Sequence, residues 1–181
     1  METKFTHFIS IPLNLDDSLT EVFEQFQKES GIPKDCFISP KKLHLTLQML
    51  TERQSERAAE AMEKFKHLLP SQLSLNGLSL MKGTIAKAKV LYVAVENESE
   101  LDDFIDSIQR ELEISNNTNR IMHCTLANVK YSKSCKYFNA DRALKQSLSF
   151  TKSLQAVHLS ILDKRVDPQG YYKHKYVCMN K

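Results

Sequence analysis

From Leu43 to Leu47 the chain alternates without a break: Leu43, Leu45 and Leu47 are apolar, and His44 and Thr46 lie between them. The alternation returns at Met122–Leu126, where Met122, Cys124 and Leu126 enclose His123 and Thr125. Residues two apart in a strand point the same way. Each stretch therefore predicts a strand with a packing face and a second face carrying one imidazole and one hydroxyl. The pattern around them predicts the remaining elements. Phe5–Leu13 reads as a strand. Asp17–Ser30 reads as a helix with Leu19, Val22, Phe23 and Phe26 on one side, a Ser18/Glu21 capping box, and Gly31 and Pro33 as its stop.

After the first His-x-Thr strand, which runs to about Leu50, Thr51 and Gln54 can cap a second helix. Its apolar stripe is Ala58, Ala61, Met62, Phe65, Leu68 and Leu69, and Pro70 ends it. Leu73–Met81 is strand-like, with a phase shift at Gly77 that predicts a bulge. Val90–Val95 is a further strand. Ser99 opens a helix with Leu101, Phe104, Ile105, Ile108 and Leu112 on one side. The second His-x-Thr strand runs to about Lys130. A loop, a short helix near Asp141–Gln146 and two closing strands, Leu154–Leu162 and Tyr171–Met179, complete the chain, with a turn at Asp167–Gly170 between the strands. Strand, helix and His-x-Thr strand thus occur in the same order twice. This predicts one α+β domain of two sheet-and-helix lobes, roughly 5–82 and 88–180, with exchange of strands between lobes left open. A pseudo-twofold between the units would set the two His-x-Thr strands side by side at a shared cleft.

Composition narrows the function classes. With 181 residues and 41% hydrophobic side chains, the chain can bury a sizeable core. A net charge of +3 is too mild to imply duplex binding by charge alone, but it allows a basic pocket for an anion. Four glycines and no Gly-rich phosphate loop argue against nucleotide folds of the P-loop and dinucleotide kinds. No signal peptide or apolar run of transmembrane length is present, and a membrane role is not expected. No two of Cys36, Cys124, Cys135 and Cys178 stand at CxxC spacing. Reduced thiols are expected, ahead of a disulfide framework or a zinc site.

The candidate chemistry lies in the repeated motif. Chance supplies roughly 0.3 His-x-Thr occurrences in a chain of this composition, so one copy means little and two in matching settings carry weight. The competing explanation is a pair of strand histidines satisfied by their neighbours. A phosphodiester needs a base for the nucleophile and an acid for the leaving oxygen, and two imidazoles supply both. Threonine hydroxyls can donate to the non-bridging oxygens. His44, Thr46, His123 and Thr125 are thus the candidate catalytic residues, with a bell-shaped pH profile expected and the base unassigned. Lys41, Lys42, Arg120 and Lys130 flank the motif strands as candidate phosphate contacts. Phe8, Tyr92, Tyr171 and Tyr172 are candidates for stacking a base. His7, His67, His158 and His174 lack a threonine two residues on and are expected to be surface or satisfied histidines. No metal is expected at the motif, because Cys124 should point away from the histidine face.

His44-Leu45-Thr46-Leu47 and His123-Cys124-Thr125-Leu126 resemble the paired signature of the two-histidine (2H, LigT-like) phosphoesterase superfamily. Thr6–Pro12, Pro40–Leu47 and Gly170-Tyr171-Tyr172 extend the likeness to the branch of the A-kinase anchor protein nuclear-type domain and the activating signal cointegrator complex subunit. The resemblance covers nearly the whole chain. It implies a bilobal pseudo-twofold fold, with antiparallel sheets forming a central cleft and helices outside. It also implies metal-independent action, without cofactors, on RNA or oligonucleotide phosphodiesters: 2',3'-cyclic phosphate ends, 2'-5' linkages or RNA 3' ends. Phe8, Lys42, Tyr171 and Tyr172 would then bind substrate. A monomer in the nucleus or cytoplasm is expected, with a nuclear protein complex as a further partner. A nucleotide-binding module or a non-catalytic subunit of a nuclear assembly is the alternative. The cointegrator-type relatives carry an RNA-binding KH domain ahead of this region. No KH-type GxxG loop occurs here, so the expectation is an excised domain or a shorter relative.

Overall fold

The computed structural model describes residues 3–115, 121–162 and 172–180. Its strands are β1 (His7–Pro12), β2 (His44–Leu50), β3 (Gln72–Gly83), β4 (Ala88–Val95), β5 (His123–Asn128), β6 (Ser149–Ser153), β7 (Ala156–Ile161) and β8 (His174–Met179). Its helices are α1 (Asp17–Ser30), α2 (Glu52–Phe65), α3 (Asp102–Glu111) and α4 (Asp141–Leu144). Among the described residues, no helix is long and apolar enough to cross a membrane.

The strands form two four-stranded sheets, ordered β2-β1-β7-β8 and β5-β4-β3-β6, and the pairings are antiparallel. Read from the His-x-Thr edge, the two orders have the same plan. The His-x-Thr strand comes first, next to the strand that precedes it through a helix, and then two strands follow. Each sheet draws on both halves of the chain. β3 follows the first unit in sequence but pairs with β4, whereas β7 returns to pair with β1. The sheets are therefore not contiguous stretches on either side of residue 85.

The two longest helices, α1 and α2, form where the apolar period is 3.6 and the N-terminus is capped. Asp16 caps α1, accepting from Leu19 N–H at 2.8 Å, and Gly31 closes it at φ 72°. This replaces the expected Ser18/Glu21 box. The helix starts where expected, but its cap is the carboxylate two residues earlier. Thr51 and Gln54 form the reciprocal box on α2, with bonds of 2.9 and 3.4 Å. The β3 register shifts between Leu75 and Leu78, around Gly77 at φ 96°, so the phase shift there is a bulge. Two expectations need correction. The segment before Leu154 contains the short strand β6, whose residues are largely exposed and polar, and β7 starts only at Ala156. α4 is shorter than the pattern suggested. The expected turn at Asp167–Gly170 lies outside the described residues.

Leu43, Leu45 and Leu47 are at most 3% exposed, as are Cys124 and Leu126, and all join one core with the apolar faces of the helices. Burial of each leucine stabilises the fold by about 1.5–3 kcal/mol, enough to fix the strand's phase. A slip of one residue would bury the histidine and expose the leucines. α2 packs across β1, β2, β7 and β8 and against α3, on the side of the first sheet away from the motif hydroxyls.

Candidate active site

The two motif strands are edges that lie against each other. Ile38 N–H donates to Leu126 O at 2.9 Å, and Phe37 bridges Ala127, so the segment entering β2 is tied to β5. The Cys124 thiol sits at the backbone N–H of His44, and burial pushes that thiol up to about 12. Core packing therefore sets the edges in contact, and strand phase turns both imidazoles to the other side.

Each imidazole is anchored in the same way. His44 Nδ1 is 2.7 Å from Lys42 O, and His123 Nδ1 is 2.8 Å from Ile121 O. A carbonyl can only accept, so Nδ1 carries the hydrogen in both rings. That fixes the tautomer and makes Nε2 the atom that takes or gives a proton. The two rings are electrically coupled. Burial is the larger cause that lowers the His44 pKa, and the charge of His123 lowers it further; the bond to Lys42 O opposes both. Thr46 and Thr125, half-buried, lie one pleat further along on the same faces.

A second aromatic ring supports each imidazole. Phe8 of β1 lies 5.7 Å from His44, and Tyr92 of β4 lies 5.3 Å from His123. Tyr172 closes the first cluster, 5.7 Å from His44 and 5.0 Å from Phe8, edge-on to both. Phe8, expected as a stacking surface, is 2% exposed, and its ring packs against His44 and Tyr172. Tyr172 is half-buried and borders the His44 side of the cleft. Lys42 supplies the carbonyl that holds His44, a main-chain role that the expected ammonium contact did not anticipate. Lys130 lies over the Tyr131 ring at 5.3 Å. Tyr171 and Arg120 lie outside the described residues.

Three further residues stand out, Ser10, His158 and Tyr131, of which the sequence marks only His158, as a surface or satisfied histidine. Ser10 is fully buried and pairs in register with Thr46 on one side and His158 on the other. These three residues form a row across the first sheet on the face that carries His44. Burial, with His174 at 5.3 Å as a lesser cause, pushes His158 down to about 4. Partial burial chiefly, then the charge of the Tyr172 phenol, pushes the Tyr131 phenol up to about 12. None of these has a local signal. Ser10 and His158 are selected by the register of strands distant in sequence. His7, in contrast, is a satisfied histidine, buried beside Thr6 Oγ1 at 2.8 Å and Glu52 at 3.7 Å.

Comparison with known proteins gives concordant results. Residues 5–178 match the family model described as the AKAP7 2'5' RNA ligase-like domain. Activating signal cointegrator 1 complex subunit 1 of Mus musculus is 29% identical, over 58% of this chain and 35% of that protein. The match thus spans about a third of the relative's length. Among solved structures, TT0787 of Thermus thermophilus superposes with a TM-score of 0.63 at 18% identity, covering 97% of both chains. LigT of E. coli in its apo form gives 0.64 at 13% identity, and its complex with 3'-AMP gives 0.62 at 13%, each covering 98% of both chains. At such identities, the likeness is one of fold: two curved antiparallel sheets around a central cleft.

Proposed function

This chain belongs to the family of the AKAP7 2'5' RNA ligase-like domain, and from that premise we propose that it is a two-histidine phosphodiesterase acting on nucleotide phosphodiesters, with RNA or oligonucleotide ends as substrates. The observation that carries the reading is the matched anchoring of His44 and His123 through Nδ1 on two adjoining strand edges. Acid–base chemistry on a phosphodiester needs two groups of opposite protonation state. Burial and the charge of His123 both disfavour imidazolium at His44, so His44 is the base and His123 the acid.

For a 2',3'-cyclic phosphate, Nε2 of neutral His44 takes a proton from water as the water oxygen bonds to phosphorus. The P–O bond to the ribose breaks, and its electron pair stays on the ribose oxygen. Nε2 of protonated His123 donates the proton that oxygen needs. For an RNA 3' end, the neighbouring ribose 2'-hydroxyl would give its proton to one imidazole as its oxygen bonds to phosphorus; the P–O bond to the 5' oxygen of the released nucleoside breaks, that oxygen takes a proton from the other imidazole, and the product is a cyclic phosphate. Charge accumulating on the non-bridging oxygens is met by the Thr46 and Thr125 hydroxyls. Phe8 and Tyr92 hold the rings in place, and Tyr172 borders the substrate's path to His44. The ligand of the LigT complex, 3'-AMP, supports a nucleotide as the bound group.

The test is turnover of 2',3'-cyclic nucleotides, 2'-5' oligoadenylate and short RNAs in chelator. Hydrolysis of at least one class is expected. Tight nucleotide binding with no turnover of any would instead favour the alternative, a nucleotide-end-binding subunit, which the relative's designation as a complex subunit supports.

A further inference from the structure

Outside the cleft, Asp35, Cys36 and Cys135 converge, and one ligand atom from each lies within 4.8 Å of the others. Cys36 is fully buried, Cys135 half-buried, and Asp35 exposed. Asp35 and Cys36 lie in the 3-10 turn Lys34–Cys36 before β2, and Cys135 lies just beyond the turn Val129–Tyr131 after β5. From this geometry we propose a site for one thiophilic divalent cation, zinc by preference, held by the Cys36 and Cys135 sulfurs and the Asp35 carboxylate, with water as the fourth ligand.

The fit is chemical as well as geometric. Tetrahedral zinc with Zn–S near 2.3 Å and Zn–O near 2.0–2.2 Å places its ligand atoms about 3.5–3.8 Å apart, so the observed cluster needs only a small contraction. Two thiolates and a carboxylate carry three negative charges, which suits a borderline-soft dication over magnesium or calcium. The surroundings already orient the ligands. Ser132 Oγ donates to Asp35 Oδ2 at 2.6 Å, and it accepts from the backbone N–H groups of Cys135 and Ser134 at 3.0 and 3.2 Å. One hydroxyl thus holds the carboxylate and the turn bearing Cys135 together, as outer-shell partners do at metal centres. The third ligand separates this site from a simple thiol pair, because a disulfide has no use for Asp35.

Placement gives the site a role. Ile38, two residues after Cys36, is bonded to β5, and Phe37 bridges Ala127 of the same strand. A cation here would clip the entry of β2 to the exit of β5, the strands that bear His44 and His123. It would be structural and would contribute no group to the reaction.

The experiment is titration of the reduced full chain with zinc against a chromogenic chelator, with cobalt(II) as the spectroscopic probe. One ion per chain is expected, with a thiolate-to-cobalt charge-transfer band and tetrahedral d–d absorption. Cys135→Ser, at a half-buried position that tolerates the change, should abolish the band. Asp35→Asn should weaken binding at least tenfold. Zinc should raise the melting temperature of the parent protein but not of Cys135→Ser. Absence of stoichiometric binding by the reduced parent at micromolar zinc overturns the proposal. Binding that Cys135→Ser leaves unchanged also overturns it, by placing the ion elsewhere. So does a protein that takes no metal but, with oxidised glutathione, loses two hydrogens and links Cys36 to Cys135, since the pair is then a redox couple. These readouts do not involve turnover, so they stand or fall separately from the phosphodiesterase reading.

Discussion

Lowering the pH from 7 to 5 should destabilise the protein through His158. The side chain is half-buried on β7, in register with Ser10 and beside His174. Burial chiefly, then His174, holds its pKa at about 4 in place of the ordinary 6.5. The folded-state value lies below the unfolded one, so between them the unfolded chain binds more protons and stability rises with pH. The contribution is complete above about 6.5 and is lost as the pH falls towards 4. Taking 6.5 and 4 as the two values, the loss between pH 7 and pH 5 is about 1.8 kcal/mol, and partial exposure reduces this to roughly 1–1.5 kcal/mol. The assay is urea unfolding of the parent and His158→Gln at both pH values. His7 and His44 are also lowered and act in the same direction, but they do so in both proteins, so the difference between the two losses isolates His158. The variant should lose about 1–1.5 kcal/mol less than the parent. Equal losses would refute the reasoning. The result also bears on kinetics, because the acid limb set by His44 has to be measured where the fold is still intact.

Phe8→Leu keeps an apolar side chain but removes the ring that orients His44; it should cost about 1–2 kcal/mol in urea melts and lower kcat with little change in KM, whereas an unchanged kcat would deny Phe8 a positioning role. Thr51→Ala removes the α2 cap and should cost about 1 kcal/mol with turnover untouched, as read by thermal melts and initial rates. Cys124, fully buried and with its thiol pushed up to about 12, should resist iodoacetamide in the native protein, and mass spectrometry finding it alkylated would mean that the β2 and β5 edges open.

Local pattern made much of this molecule legible. Alternation at Leu43–Leu47 and Met122–Leu126 identified both edge strands and their phase, because a two-residue period with leucine on one side has one comfortable orientation. Thr51 with Gln54, and the phase shift at Gly77, were equally readable, since each is a short-range constraint. What escaped has a long-range cause. β6 is short, polar and exposed, and pairing with β3 makes it a strand. Ser10 became a neighbour of Thr46, and His158 of Ser10, only through the register of β1 with β2 and β7. Phe8 was read for its chemistry, and its burial against His44 and Tyr172 follows from packing between segments distant in sequence. Cys36 and Cys135 stand 99 residues apart (135 − 36), so no spacing rule could have paired them.

The proposed chemistry rests on His44 and His123 acting as one unit on one phosphate. The most direct measurement is kcat/KM on the preferred substrate, in chelator, for His44→Ala, His123→Ala and the double variant, with folding verified by melts. Each single change should lower kcat/KM by roughly 10²–10⁴, and the double change should lower it little beyond the worse single one, because an acid without its base leaves no route for the proton. Wild-type turnover in either single variant, or strictly additive losses, would contradict the pairing.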